Sequence, residues 1–254
     1  HPPATLRRQR QMCIRDRVEI VCGRFTLRTP QKQLAEQLHL PSDLQLPLRF
    51  NVAPTQQVLA IRQATPPDGR LPNGYGFTLL RWGLVPSWAK DPNVGNRMIN
   101  ARSETVAEKP SFRYAFKNRR CLIIADGYYE WRSADGQKQP FYIHQTDFAP
   151  FAMAGLWEAW EPKRTEATST GLETCTILTT SANRLTQSVH HRMPVILPPE
   201  DHDLWLSKAT PPTNLIKLLK PAAEDVLAMY PVSKLVNSPR YDQPDCIESV
   251  ELAE

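Results

Sequence analysis

Prolines set the first limit on this chain: 24 of its 254 residues are proline, against 10 glycines. Each proline fixes φ and removes a backbone donor, so the turns are many and rigid, and the sequence reads as one compact domain rather than a flexible array. With 41% hydrophobic and 22% charged residues it can bury a full core without a metal or a disulfide, which excludes disordered and collagen-like classes. No run approaches the roughly 18 apolar residues a spanning helix needs, and the N-terminus lacks the apolar stretch of a secretory signal. A protein with no membrane partner is expected.

Between the turns, strand patterns rich in β-branched and aromatic residues cover 49–53, 58–62, 77–82, 120–125, 140–144, 151–156 and 175–179. Helical patterns are shorter: 30–40, opened by the cap pair Thr29-Pro30, then 111–117, 181–189, 200–206 and 213–219. The stretch 65–76 reads as a hairpin excursion and 161–171 as a surface loop. Strands and helices do not alternate regularly. The expected class is therefore α+β, a curved, mainly antiparallel, barrel-like sheet with short peripheral helices in a single domain. Neither a G-x-G-x-x-G nor a Walker loop is present, which removes the two commonest nucleotide folds.

The net charge of +5 hints at a polyanion partner until it is located. Five arginines against Asp16 and Glu19 in the first 21 residues supply most of it, so bulk basicity says little and individual arginines must make the case. That leading segment has no apolar period and no cap. Its run Arg10-Gln11-Met12-Cys13-Ile14-Arg15-Asp16 looks like translated sequencing adapter, and Val21 like a GTG start codon read as valine; the alternative is a disordered basic arm. Five cysteines, Cys13, Cys22, Cys121, Cys175 and Cys246, lack C-x-x-C spacing. They argue for a reducing, cytoplasmic setting and against a disulfide framework or zinc ribbon. The pair His190-His191 has no partners at ligand spacing, so no metal or other cofactor is expected.

Four segments place a reactive side chain beside a turn former or small residue. They are Val21-Cys22-Gly23-Arg24-Phe25, Ile99-Asn100-Ala101-Arg102-Ser103-Glu104, Asp126-Gly127-Tyr128-Tyr129-Glu130-Trp131 and Ser188-Val189-His190-His191-Arg192-Met193-Pro194. Singly each is weak. A lone cysteine is more often a small core residue than a nucleophile, a histidine pair usually lies on a solvated edge, and Glu130 has Arg132 as an ordinary partner.

In this order and at these separations, the four segments resemble the SOS-response-associated peptidase family, also called abasic-site processing proteins, from Cys22 to about residue 236. Arg49-Phe50-Asn51-Val52-Ala53-Pro54, Arg81-Trp82-Gly83-Leu84-Val85-Pro86-Ser87-Trp88, and Thr179-Thr180 before Ala182-Asn183 extend the resemblance. It implies a protein of the DNA-damage response that joins its N-terminal cysteine to the aldehyde of an abasic site in single-stranded DNA. The α-amine, with a reference pKa of about 8, condenses to a Schiff base and the adjacent thiol, at about 8.5, closes a thiazolidine.

By the same resemblance, Cys22, Asn100, Glu130 and His190 are the catalytic residues. Cys22 supplies both nucleophiles, Glu130 shuttles protons, Asn100 orients the amine and the sugar hydroxyl, and His190 assists ring opening and reversal. Arg24, Arg102 and Arg192 are expected to grip phosphates, with Asn51 and Thr179 beside them, while Pro86, Ser87 and Trp88 stack under a base. Trp82 reads as core, and the strip Arg113, Lys117, Arg119, Arg120 as either a continued DNA track or a solvated helix face.

The resemblance also implies a peptidase-like removal of whatever precedes the cysteine, with possible lyase activity. With composition, the chain reads as a non-native or disordered extension (1–21), the catalytic and DNA-binding domain (22–236) and a flexible acidic tail (237–254); a monomer is expected, with replication-fork proteins as candidate partners. Two other readings use fewer of these residues: a cysteine protease or amidase built on Cys22, His190 and Asn100, and a non-catalytic single-strand nucleic-acid binder.

Overall fold

The fold is that of a computed structural model, which describes residues 22–38, 40, 45–65, 68–71, 74–134, 136–162 and 171–252; the expected extension at 1–21 and most of the loop at 161–171 lie outside them. Turn formers cut the described chain into β1 (Arg24–Leu27), α1 (Gln31–Leu38), β2 (Arg49–Val52), β3 (Gln57–Gln63), β4 (Gly69–Arg70), β5 (Tyr75–Trp82) and β6 (Asn100–Arg102). There follow α2 (Arg113–Asn118), β7 (Arg120–Ala125), β8 (Gly127–Ala134), β9 (Gln137–Gln145), β10 (Phe151–Trp160) and β11 (Leu172–Ser181). The order ends with α3 (Arg184–Gln187), β12 (Arg192–Pro194), β13 (Ile196–Leu197), α4 (His202–Leu206), α5 (Pro212–Leu218) and β14 (Leu227–Pro231).

One sheet runs β14-β9-β8-β1-β2 and the other β12-β11-β10-β7-β3-β5-β4, with β13 beside β10 and β6 beside β11. Nearly all pairings are antiparallel. The larger sheet curls until β5 meets β11 in a parallel contact only two residue pairs long, Thr174 opposite Arg81 and Cys175 opposite Trp82. The result is ring-like without being a closed barrel, as the expected class required.

Strand alternation explains the layering. On β7, Cys121, Ile123 and Ala125 face a core shared by both sheets, with Phe25, Tyr128 and Ile143 of the smaller one. Leu122 and Ile124 face the opposite way, under Leu34 of α1, Phe116 of α2, Trp205 of α4 and Leu215 of α5. Short amphipathic helices therefore cap the outer face of the ring. Trp82 is fully buried and its indole N–H donates to the Ile99 carbonyl, the core role expected of it.

Arg120 settles part of the basic strip. It is buried, and its guanidinium donates to the carbonyls of Phe116, Lys117, Trp205 and Ser207, tying α2 to α4. Arg119 pairs with the buried Glu158. Only Arg113 and Lys117 remain exposed, so no four-residue DNA track exists there.

The expected flexible tail at 237–254 needs correction as well. Residues 234–237 and 244–247 form short 3-10 turns, and Cys246 is buried with Tyr129, Val232 and Val236 against the outer face of the smaller sheet. Asp242 accepts the backbone N–H groups of Phe50 and Asn51 at 2.6 and 2.8 Å and the Arg49 side chain at 2.6 Å. The acidic residues that made this segment look solvated include the one that caps the edge strand β2.

Asp242→Ala leaves two amides without their acceptor, at a cost of about 2 kcal/mol; the ion pair, a quarter exposed, adds little. A fall in Tm of about 4–8 °C and faster proteolysis at the C-terminal end are expected. Unchanged melting and cleavage would restore the flexible tail.

Candidate active site

The register of β1 between its neighbours positions the first reactive residue. Arg24 lies opposite Tyr129 and Phe25 opposite Tyr128 on β8, so the start of β1 arrives beside Glu130. The Cys22 nitrogen donates to Glu130 Oε1 at 2.5 Å, and both residues are buried, Cys22 completely and Glu130 to 3% exposure. Cys22 belongs to the same buried cluster as Phe25, Trp82, Ile99 and Tyr128.

Burial sets the proton affinities here. It pushes the Glu130 carboxyl up to about 8, although the N–H groups of Cys22 and Trp131 pull it back. Burial, and then the charge of Glu130, push the Cys22 thiol well above its ordinary value. A carboxyl that titrates near neutrality, touching a nitrogen, suits proton traffic to and from that nitrogen. A protonated thiol beside a carboxyl is the opposite of the lowered-pKa thiolate a cysteine protease needs.

β11 is the rail that carries the other expected residues. β6 pairs with it in parallel, with Asn100 opposite Ile177 and Arg102 opposite Thr179; β12 pairs antiparallel, with Arg192 opposite Ser181. Asn100 and His190 are half-buried and Arg102 is exposed. His190 Nδ1 lies 3.1 Å from the Arg192 backbone nitrogen and 3.4 Å from its carbonyl oxygen, so the ring is held against β12. His191 stacks on His190 at 4.5 Å between centroids and is itself exposed.

Three of the residues expected at the DNA surface are buried and hydrogen-bonded within the protein. Asn51, fully buried, accepts from Arg24 and donates to the carbonyls of Val236, Ser238 and Tyr241. Thr179, 1% exposed, accepts from Arg192 through its hydroxyl and carbonyl. Arg192, 8% exposed, has its guanidinium committed to Thr179 and, in a two-pronged pair at 2.9 and 3.0 Å, to Glu104. Burial raises the Glu104 carboxyl, but the Arg192 hydrogen bonds outweigh it and hold the group below its ordinary value.

Arg24 differs. Its guanidinium donates to Asn51 Oδ1 and to the carbonyls of Val236 and Asn237, all uncharged acceptors, and no ion pair of Arg24 is found among the described residues. It is an oriented cation that these acceptors do not neutralise.

The loop after β5 is pinned along its backbone. A β-carbon on Gly83, whose φ is +123°, would lie 2.6 Å from the Gly95 carbonyl oxygen, so this close approach requires glycine. The Val85 N–H donates to the Thr174 hydroxyl, and the Trp160 indole to the Ala89 carbonyl. Pro86 is buried, Ser87 exposed, and Trp88 is held 62% exposed between these anchors. No group of three or more metal-ligating side chains occurs among the described residues. No helix among them is long and apolar enough to cross a membrane.

Glu104, Asn237 and Asp242 were given no role by the sequence. Glu104 lay inside a quoted motif, and an acid two residues beyond Arg102 was the available signal. Nothing local marked Asn237 or Asp242, whose partners Trp131, Phe50 and Asn51 are more than a hundred residues away in sequence.

Known proteins resemble most of this chain. It is 44% identical over 234 residues to "Abasic site processing protein YoqW" of Bacillus subtilis, spanning 90% of this chain and 100% of that one. It is 36% identical to "Abasic site processing protein HMCES" of Gallus gallus, over 68% of this chain and 57% of that protein. A solved protein structure from Bacteroides thetaiotaomicron superposes with a TM-score of 0.78 at 27% identity, covering 91% of this chain and all of the other. The model of the family described as SOS response associated peptidase matches residues 21–239, and the chain belongs to that family.

Proposed function

We propose that this protein processes abasic sites in single-stranded DNA, capturing the sugar aldehyde covalently through Cys22 once that residue is the first of the chain. The observation that carries the reading is the 2.5 Å contact between the Cys22 nitrogen and a carboxyl whose proton affinity is raised to about 8. Glu130 is placed to accept a proton from the attacking amine and return it when the carbinolamine loses water. The thiol then closes on the imine carbon, an intramolecular step.

The same contact supports the peptidase-like step. While Cys22 is still in peptide linkage, its nitrogen is the leaving group of the bond before it: a water adds to the carbonyl carbon of residue 21, the C–N bond breaks to leave a carboxyl group there, and a protonated Glu130 gives its proton to the departing nitrogen. Cys22 has φ +46°, in the left-handed region that costs a non-glycine residue about 1–2 kcal/mol. Cutting the 21–22 bond abolishes that dihedral and releases the strain.

Arg24 and the exposed Arg102 are the phosphate contacts in this reading, and Trp88 is the stacking platform. Arg102→Ala is expected to weaken binding of single-stranded DNA, and to lower the dependence of log K on log salt by about one ion. Fluorescence anisotropy at several salt concentrations measures both. An unchanged slope takes Arg102 off the DNA.

The reading itself is tested by incubating the mature protein with an oligonucleotide bearing one abasic site. A denaturation-resistant shift supports it. Thiol-dependent peptide cleavage without a shift would favour the protease reading, and a shift lost in detergent the simple binder.

A further inference from the structure

We propose that the Tyr128 hydroxyl is a positioning donor for the Cys22 sulfur, holding it in line as it closes on the carbon that the Cys22 amine has captured. This rests on the covalent-capture reading above and extends it to a residue with no other task. Tyr128 and Glu130 lie two apart on β8 and so point to the same face, the one that meets Cys22. Tyr128 is fully buried in the cluster that holds Cys22, opposite Phe25 in register. Its hydroxyl has no hydrogen-bond partner among the described residues.

A buried hydroxyl without a partner is costly, and phenylalanine would fill the same space without that cost. Its neighbours Tyr129 and Tyr142 both have theirs, Tyr129 on the Phe50 carbonyl and Tyr142 on Thr26. The ionisable groups that press on the Tyr128 phenol are Cys22 and Glu130, and burial, the larger influence, keeps it protonated and hence a donor. Neither Glu130, which takes the N–H groups of Cys22 and Trp131, nor the resting Cys22 sulfur accepts from Tyr128; the donor is assigned to the sulfur as its charge develops.

In the step concerned, the S–H bond breaks as a C–S bond forms at the imine carbon. The C=N π pair moves to nitrogen, and the thiol proton reaches that nitrogen through Glu130. Nothing is oxidised or reduced. The Tyr128 O–H donates to sulfur while its charge develops and keeps its own proton.

The test uses Tyr128→Phe and the parent protein, both with Cys22 as first residue, a form that retains every strand and helix of the described fold. Abasic-site oligonucleotide is added, and imine is trapped with borohydride in parallel with untrapped, denaturation-resistant adduct. Tyr128→Phe is expected to leave imine capture within about threefold and to slow stable adduct formation about 10- to 100-fold, the range of a hydrogen bond to a charged group. Its Tm is expected to stay level or rise by about 2–4 °C, since an unsatisfied group is lost. Equal rates of stable adduct in the two proteins would overturn the proposal, as would a parallel fall of both products, which marks simple packing. A parent protein that forms no adduct at all would overturn the covalent-capture reading, and this inference with it.

Discussion

Cys22→Ala is expected to remove the denaturation-resistant DNA adduct, lowering its rate by at least about 10³-fold, while reversible DNA binding stays within about twofold. Alanine at the first position still carries an α-amine and can form an imine, but the imine is open to hydrolysis. The lost element is the sulfur on the same residue, whose effective concentration in a well-aligned ring closure is of order 10⁵ M or more. The Cys22 side chain is small and buried in an apolar cluster, so alanine leaves only a small cavity and the sheet register that aims Arg24 persists. Denaturing gels report the adduct and anisotropy reports the binding. Full crosslinking by the alanine variant would transfer the chemistry to another amine, such as a lysine.

Glu130→Gln is expected to slow adduct formation by about 10² to 10⁴, the usual worth of a positioned acid or base, without abolishing it. The amide is isosteric and its oxygen can still accept the Cys22 N–H, so orientation survives and only proton transfer is lost. The same substitution has a stability signature. Folded Glu130 holds its proton to about pH 8, whereas in the unfolded chain it would release it near the ordinary 4.5.

Between those values the folded state binds more protons than the unfolded, so Glu130 makes stability fall as pH rises. Below about 4.5 both states are protonated and the penalty vanishes; above about 8 it is complete. The glutamine variant should therefore be more stable than the parent at pH 8, with the gain fading toward pH 4 in urea melts. Unchanged adduct rates would take Glu130 out of the mechanism, and a pH-independent stability difference would contradict its raised proton affinity.

The larger strands were legible because β-branched and aromatic runs stood between turn formers: β3, β5, β7, β9, β10 and β11 all lie where the patterns placed them. β1 and β8 were not, for different reasons. Arg-Phe-Thr-Leu is too short to establish a period, and Gly-Tyr-Tyr-Glu-Trp reads first as a chemical motif, since its alternating faces are both occupied by large residues. The pairing of those two strands brings Cys22, two residues before β1, to Glu130, so the sequence supplied both partners without the pairing that joins them.

The partners of the expected DNA contacts were not legible either. Arg192 and Asn51 carry the right functional groups for phosphate, and only tertiary structure reveals that Glu104 and the carbonyls of 236–241 already hold them. Segment 237–252 was misread because local charge predicts solvation, whereas Asp242 and Cys246 are fixed by partners far away in the chain.

The central claim is tested most directly by tandem mass spectrometry of the nuclease-digested adduct between mature protein and abasic-site DNA. The account predicts one modified residue, Cys22 at the first position, carrying the sugar remnant on both nitrogen and sulfur, with its thiol no longer alkylatable. A remnant on a lysine, or on Cys22 sulfur alone with the α-amine still free, would contradict it.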